Sequence, residues 1–252
     1  MSELQTHEVL KDYFGHESLR PGQAEVIERV MDLRNTLAVL PTGGGKSLCY
    51  QLPAMCMEGL SVVVSPLIAL MRDQVESLAK KGVPCARIDS TSSAEEFEQT
   101  LVKIQSGELK LLYLSPERMA EPTMQQLLKN SGIALVAIDE AHCISEWGHS
   151  FRPSYIRLPK LVRSLKPKVI LALTATASKD TAGSIRKAFK ILKKDHIQTS
   201  FYRDNLVFEV EVCSEEDKQQ ALLTAIELPD RTPAIVYATR RGDVEELAAM
   251  LS

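Results

Sequence analysis

Up to Thr199, short and nearly continuous apolar runs alternate with longer stretches of mixed polarity. Leu37–Leu40, Ser61–Ser65, Lys110–Ser115, Ala134–Ile138 and Val169–Leu173 each hold too little polar character to be half-exposed strands. Each is followed by turn or cap residues and then by a helical pattern. Strand, turn and helix in repeated order predict a parallel sheet with crossover helices. Unbroken apolar strands predict burial on both sheet faces, as in doubly wound folds. Thr91–Leu101 is polar with helical character and is expected on the surface. No repeat at solenoid periods and no low-complexity tract interrupts the pattern.

The pattern changes near Thr199–Leu206. Beyond it the sequence predicts a strand (Val207–Val212), a helix (Glu215–Glu227), a strand (Ala234–Tyr237) and a helix (Gly242–Leu251). Two strands and two helices are too few for a doubly wound domain. The expected organisation is therefore one complete α/β domain over residues 1–200, followed over residues 201–252 by a linker and the cut-short start of a second.

Composition narrows the function classes. With 44% hydrophobic and 25% charged residues, the 252-residue chain has the balance of a globular protein. Its formal net charge of -3 gives no global pull toward polyanions, so contact with nucleic acid has to come from a local site. The five cysteines stand singly at 49, 56, 85, 143 and 213, without a C-x-x-C pair. Neither zinc nor a disulfide framework is expected, which fits a reducing cytoplasm. No apolar run suffices to span a membrane.

Two segments carry phosphate chemistry. Leu37–Leu40 leads into Pro41-Thr42-Gly43-Gly44-Gly45-Lys46-Ser47 and then an apolar helix. Glycines let backbone N–H groups converge on phosphate oxygens, and the helix N-terminus adds a favourable field. Lys46 is placed to reach the β/γ-phosphates of ATP, and Ser47 to ligate Mg²⁺. The general phosphate-loop pattern asks for glycine where Leu40 stands, so only the P-T-G-G-G-K-S variant fits. Ile138-Asp139-Glu140-Ala141-His142 closes another buried run. At the end of a parallel strand Asp139 is expected to hold Mg²⁺ through water, and Glu140 to orient and deprotonate the attacking water.

P-T-G-G-G-K-S, D-E-A-H and Thr174-Ala175-Thr176-Ala177 together resemble a superfamily 2 helicase. The stretch from Ala141 to Pro153, AHCISEWGHSFRP, is similar to the aromatic-rich loop of the RecQ family. That resemblance implies a RecA-like phosphate-loop domain and an ATP-dependent, 3′-to-5′ DNA helicase acting in repair and recombination. It implies ATP and Mg²⁺ as cofactors, and single-stranded and partly duplex DNA as partners. The expected location is cytoplasmic, and nucleoid-associated if the source is bacterial.

The resemblance also assigns roles residue by residue. Phe14-Gly15 and Arg20-Pro21-Gly22-Gln23 are similar to the family's adenine-reading segment. Gln23 offers a donor and an acceptor to adenine, and Arg20 can lie flat on the base. Ser65-Pro66 and Ser115-Pro116 each read as a helix N-cap followed by proline at the first helical position. The family uses both places to hold the DNA backbone, although capping alone explains them equally well on local chemistry. Trp147 and Phe151 can stack on bases and Arg152 can meet a phosphate; a packed loop anchor is the other reading of Trp147. His142, Thr174 and Thr176 are expected to couple the nucleotide site to the DNA path. Arg203-Asp204-Asn205-Leu206 resembles the family's crossing between motor domains, and Ile235–Arg240 its first strand and loop beyond.

No match to the family's arginine-finger motif follows Arg240. The rival expectation is therefore a module that binds ATP and single-stranded DNA without useful turnover. An RNA helicase of the neighbouring D-E-A-D group is disfavoured by the Trp147 loop.

Overall fold

The computed structural model describes residues 3–145, 152–200, 206–214, 216–229 and 231–251. The apolar runs become strands, and two further strands join them. In chain order they are β1 (Thr36–Val39), β2 (Leu60–Val64), β3 (Cys85–Ile88), β4 (Leu111–Leu114), β5 (Ile133–Ile138), β6 (Val169–Thr174) and β7 (His196–Gln198). They form one sheet in the order β3-β4-β2-β5-β6-β1-β7, every pair parallel. The expected doubly wound α/β fold is therefore present. The strands that the pattern missed, β3 and β7, are the two edges. Edge strands are covered less completely, and only Ile88 of β3 and Ile197 of β7 are buried.

Nine helices of the first unit are α1 (Glu3–Phe14), α2 (Gln23–Met31), α3 (Leu48–Cys56), α4 (Ile68–Lys80), α5 (Ala94–Gln105), α6 (Pro116–Ala120), α7 (Pro122–Asn130), α8 (Pro153–Leu165) and α9 (Lys179–Phe189). Alternate strand residues feed two cores, one on each face. Ala38, Val63, Leu135 and Leu171 pack with Leu10, Val26, Leu52 and Met71 of α1 to α4. Leu37, Val62, Val136 and Ile170 pack with Ile104, Leu128, Val162 and Phe189 of α5, α7, α8 and α9. The segment expected on the surface lies there, with residues 91, 93–96, 98 and 99 exposed, while one face of its helix turns inward. In α5, Thr100 and Ile104 are buried and Phe97 and Leu101 pack against the core. The apolar positions 97, 101 and 104 make one stripe, which a polar average conceals. Its start is a capping box between Ser93 and Glu96.

Strand order decides what meets at the carboxyl edge of the sheet. β6 lies between β1 and β5, so the segments after β1 and β5 flank Thr174. β2 adjoins β5 on its other side, with β4 beyond, which brings Ser65 and then Ser115 into the same row.

Contacts divide the chain into Met1–Phe201 and Tyr202–Ser252. The second unit has α10 (Lys218–Glu227) and α11 (Arg241–Met250), neither with a buried residue. Gln219 of α10 donates to Glu246 of α11 at 2.8 Å. The strands expected at Val207–Val212 and Ala234–Tyr237 do not form a ladder. Phe208, Val210, Ile235 and Tyr237 are all more than three-quarters exposed. A strand is stable when neighbours take its backbone groups and a layer covers its face, and among the described residues of this unit neither is supplied.

Hydrogen exchange is therefore expected to be fast across 206–214 and 232–238, and slowest in β2 and β5. Slow exchange at Val207–Val212, read by mass spectrometry, would mean that those groups are paired.

Candidate nucleotide and nucleic-acid site

The loop between β1 and α3 turns through two left-handed glycines, Gly43 (φ 79°) and Gly45 (φ 71°). A Cβ at Gly45 would come within 2.3 Å of the Gln23 amide nitrogen, so backbone conformation and space both require glycine there. Lys46 directs its ammonium back to the carbonyls of Leu40 (3.3 Å) and Pro41 (3.4 Å). These bonds are long, and stronger acceptors such as phosphate oxygens can replace them. Ser47 stands at the start of α3, and Thr42 is exposed on the loop.

Gln23 is put to a use that the sequence did not disclose. Its side chain is buried, with Oε1 accepting from the Arg20 N–H at 2.8 Å. Nε2 donates to Gly44 O (3.1 Å) and Gly45 O (3.0 Å), while the Arg20 guanidinium donates to Gly43 O. The two residues expected to read adenine thus brace the phosphate loop, and both N–H groups of the Gln23 amide are committed to it.

Asp139 is buried at the end of β5. Burial, with the Glu140 charge next to it, pushes its carboxyl up to about 6, against hydrogen bonds from Glu140 N–H and Ser65 and the charge of Lys46. Among the described residues Asp139 has no ion-pair partner within bonding distance, so a cation would relieve its desolvation. No three His, Cys, Asp or Glu side chains among those residues gather as a metal-binding group. A buried carboxylate such as Asp139 is a hard oxygen ligand of the kind Mg²⁺ takes alongside waters and phosphate oxygens. Glu140 follows in the left-handed region (φ 49°), a conformation that costs a non-glycine residue energy and recurs at functional sites. Its carboxyl is held below the usual range, first by a hydrogen bond from His142, then by the charges of His142 and Lys46, with burial opposing. The loop after β1 and the acid pair after β5 stand at the same edge of the sheet, on either side of β6, and the Lys46 charge is a lesser influence on both carboxylates.

His142 links that site to β6. Its Nδ1 lies 2.8 Å from Thr174 Oγ1 and 3.2 Å from Glu140 Oε2. The Thr174 hydroxyl donates to Thr176 O at 2.9 Å, so it can only accept from the ring. Nδ1 therefore carries a proton in the neutral as well as the charged imidazole. Hydrogen bonding to the Cys143 sulfur and Glu140 carboxylate raises His142 to about 9, against the opposing effect of burial.

Ser65 corrects an expectation. It is no N-cap: α4 begins at Ile68 with Leu67 before it. The chain needs Pro66 and Leu67 to turn before the helix starts, and the buried Ser65 hydroxyl donates to Asp139 Oδ2 at 3.3 Å. Ser115 does cap α6, accepting from Arg118 N–H at 3.3 Å, with Pro116 in the first turn. Ser178 likewise caps α9, accepting from Thr181 N–H at 3.1 Å. Pro66, Ser115 and Arg152 line one cavity of about 370 Å³ with Ser90 and Arg118. Arg152 reaches Pro66 O at 3.3 Å, and its own N–H donates to Cys143 O. Trp147 and Phe151 lie outside the described residues.

Tyr155 was missed. Its helical spacing with Leu158, Val162 and Leu165 marks a core residue, and nothing along the chain points to its partner. The buried hydroxyl donates to Asp139 O at 2.8 Å, and burial raises its pKa so that it remains a neutral donor. Tyr155→Phe leaves that carbonyl short of a partner and is expected to lower stability by about 1–2 kcal/mol. Urea unfolding measures this, and an unchanged midpoint would show that the hydroxyl contributes nothing.

A family profile described as DEAD/DEAH box helicase matches residues 20–184. The chain is 43% identical over 241 residues to the ATP-dependent DNA helicase RecQ of Bacillus subtilis (strain 168), covering 95% of this chain and 40% of that one. It is 42% identical over 244 residues to the RecQ helicase of Haemophilus influenzae, covering 96% and 39%. The chain thus spans about 40% of the length of these curated relatives. The crystal structure of the DUF1998 helicase MrfA superposes with a TM-score of 0.66 at 18% identity, over 100% of this chain and 41% of that one, a likeness of fold. The resemblance to RecQ helicases that the motifs suggested is borne out.

Proposed function

Because this chain belongs to the DEAD/DEAH box helicase family, we propose that it is the ATP-binding half of a RecQ-like, ATP-dependent DNA helicase. The observation that carries this reading is that the glycine loop with Lys46 and the Asp139–Glu140 pair follow β1 and β5, which flank β6 in one parallel sheet, so both stand at its carboxyl edge. Residues 1–200 are the motor domain and residues 201–252 the linker and start of a second one.

In this reading the loop from Thr42 to Gly45 cradles the phosphates, and Lys46 leaves its carbonyls for the β/γ-phosphates. Ser47 and Asp139 would hold Mg²⁺, which when bound neutralises charge developing on the phosphoryl group. Glu140, kept ionised by His142, orients the attacking water and takes its proton. Arg20 and Gln23 meet adenine by exchanging hydrogen bonds that now brace the loop, so base recognition and loop shape are linked. Ser115, Pro116, Pro66 and Arg152 offer a path for the backbone of single-stranded DNA. Ser65 acts on that path indirectly, through Asp139. The coupling runs from Glu140 through His142 and Thr174 to Thr176. Trp147 and Phe151 supply base stacking. Movement in the 3′-to-5′ direction and duplex unwinding belong to the complete core.

The lack of buried residues in α10 and α11 favours the second reading, a module that binds ATP and DNA with little turnover. Steady-state ATPase with and without single-stranded DNA separates the two. We expect ATP binding, slow hydrolysis and little stimulation from this chain. Strong stimulation favours a self-sufficient motor, and an absence of ATP binding overturns both readings.

A further inference from the structure

A cavity of about 550 Å³ opens at the amino edge of the sheet, opposite the phosphate loop. It lies beside the starts of β1 and β6, roughly 20 Å from the other edge at about 3.3 Å per residue of β6. Six cations line it: Arg34, Arg163, Lys166, Lys168, Lys190 and Lys194. One carboxylate, Asp195, faces them. For a chain of net charge -3 this is a marked local reversal.

The wall is built rather than loose. Buried Asp195 pairs with Arg34 and lies 3.8 Å from Arg29. Asn35 accepts from Ile170 N–H at 3.0 Å and donates to Phe189 O. Arg163 donates to Ala188 O at 2.8 Å and Lys168 to Glu58 O at 3.2 Å. Among the described residues, the ammonium groups of Lys166, Lys190 and Lys194 have no ion pair and no hydrogen bond.

Backbone conformation singles out the same place. Four non-glycine residues have positive φ among the described residues: Leu33, Glu140, Lys166 and Lys190. Glu140 belongs to the nucleotide site, and the other three line this cavity. Lys166 and Lys190 end α8 and α9, where glycine meets the left-handed requirement at lower cost. Lysine there complements the helix dipole, but that gain is smaller than the penalty of the conformation.

The geometry points to this cavity as a second binding site for the phosphodiester backbone of DNA, remote from the motor cleft. Free groups of one kind decide the ligand. Carboxylates are best matched by the fixed fork of arginine, and both arginines here are occupied within the protein. Three lysines, as mobile point charges, suit phosphates read without regard to sequence. Exposed Leu33 and Leu192 beside them can pack against sugars.

This inference rests on the reading of the chain as a DNA-binding protein. The test is the salt dependence of binding to a fluorescein-labelled oligothymidylate, followed by anisotropy. In the triple variant Lys166→Gln, Lys190→Gln, Lys194→Gln, the slope of log affinity against log salt should become shallower by about 2, from three contacts near 0.7 each. A control triple, Lys80→Gln, Lys103→Gln, Lys129→Gln, should keep the wild-type slope. ATP affinity should be unchanged in both. Should the first triple melt early, Lys194→Gln alone, free of any positive-φ constraint, should remove about 0.7. An unchanged slope overturns the site, as does an equal fall in both triples. Inorganic tripolyphosphate binding that is lost in the first triple while the oligonucleotide slope stays constant would assign a small anion instead and overturn it too. If the wild type fails to bind the oligonucleotide, it is the DNA reading that fails.

Discussion

Lys46→Ala is expected to weaken Mg-ATP binding about 100-fold or more. Lys46 is the sole cation in the segment from Pro41 to Ser47. A charge-assisted hydrogen bond contributes up to about 3 kcal/mol, and a loss of that size is roughly two orders of magnitude in affinity. The ammonium is bound to two backbone carbonyls of the loop and acts on both acids opposite. Its removal therefore takes away the attraction for the β/γ-phosphates and also a favourable charge near Asp139, whereas Glu140 keeps His142 as its partner. Folding should survive, since the side chain is only half-buried and fills no core position. Isothermal calorimetry with Mg-ATP is the measurement, with a thermal melt to verify folding. Equal affinity in the variant and the wild type would remove the phosphate loop from the nucleotide site.

Glu140→Gln should separate binding from chemistry. The substitution keeps the size of the side chain and leaves Asp139, Ser47 and the loop untouched, so Mg-ATP affinity should stay within about threefold, less than 1 kcal/mol. Hydrolysis should fall by about 10²–10⁴, the usual contribution of a positioned general base. Any residual turnover is a sensitive readout because the basal rate is expected to be low; single-turnover measurement with labelled ATP meets that need. A variant that hydrolyses at the wild-type rate would assign the water to another group, and Asp139 would be the next residue to replace. Loss of binding instead would mean that Glu140 holds the cation.

Much of this protein is determined by local order along the chain. The apolar runs at Leu37–Leu40, Ser61–Ser65, Lys110–Ser115, Ala134–Ile138 and Val169–Leu173 became strands within one residue at every end, because burial on both faces leaves an unbroken signal. P-T-G-G-G-K-S sits between a strand and a helix, and D-E-A-H follows a strand, because both depend on residues adjacent in sequence. The caps at Ser115 and Ser178 are local for the same reason. Signals weakened where the environment was partial. Edge strands β3 and β7 went unseen, and Val207–Val212 has strand composition without a strand partner among the described residues. Hydrophobic content states that a segment can be covered; another part of the molecule decides whether it is. Tertiary structure alone decided which motifs became neighbours. The insertion of β6 between β1 and β5 sets Thr174 against His142, and the pairing of β2 with β5 turns Ser65 from an apparent cap into a partner of Asp139. Gln23 under the phosphate loop, Tyr155 beneath Asp139 and the six cations around one cavity join residues far apart in the chain. Such contacts follow from strand order, which long crossovers set and local periodicity does not encode.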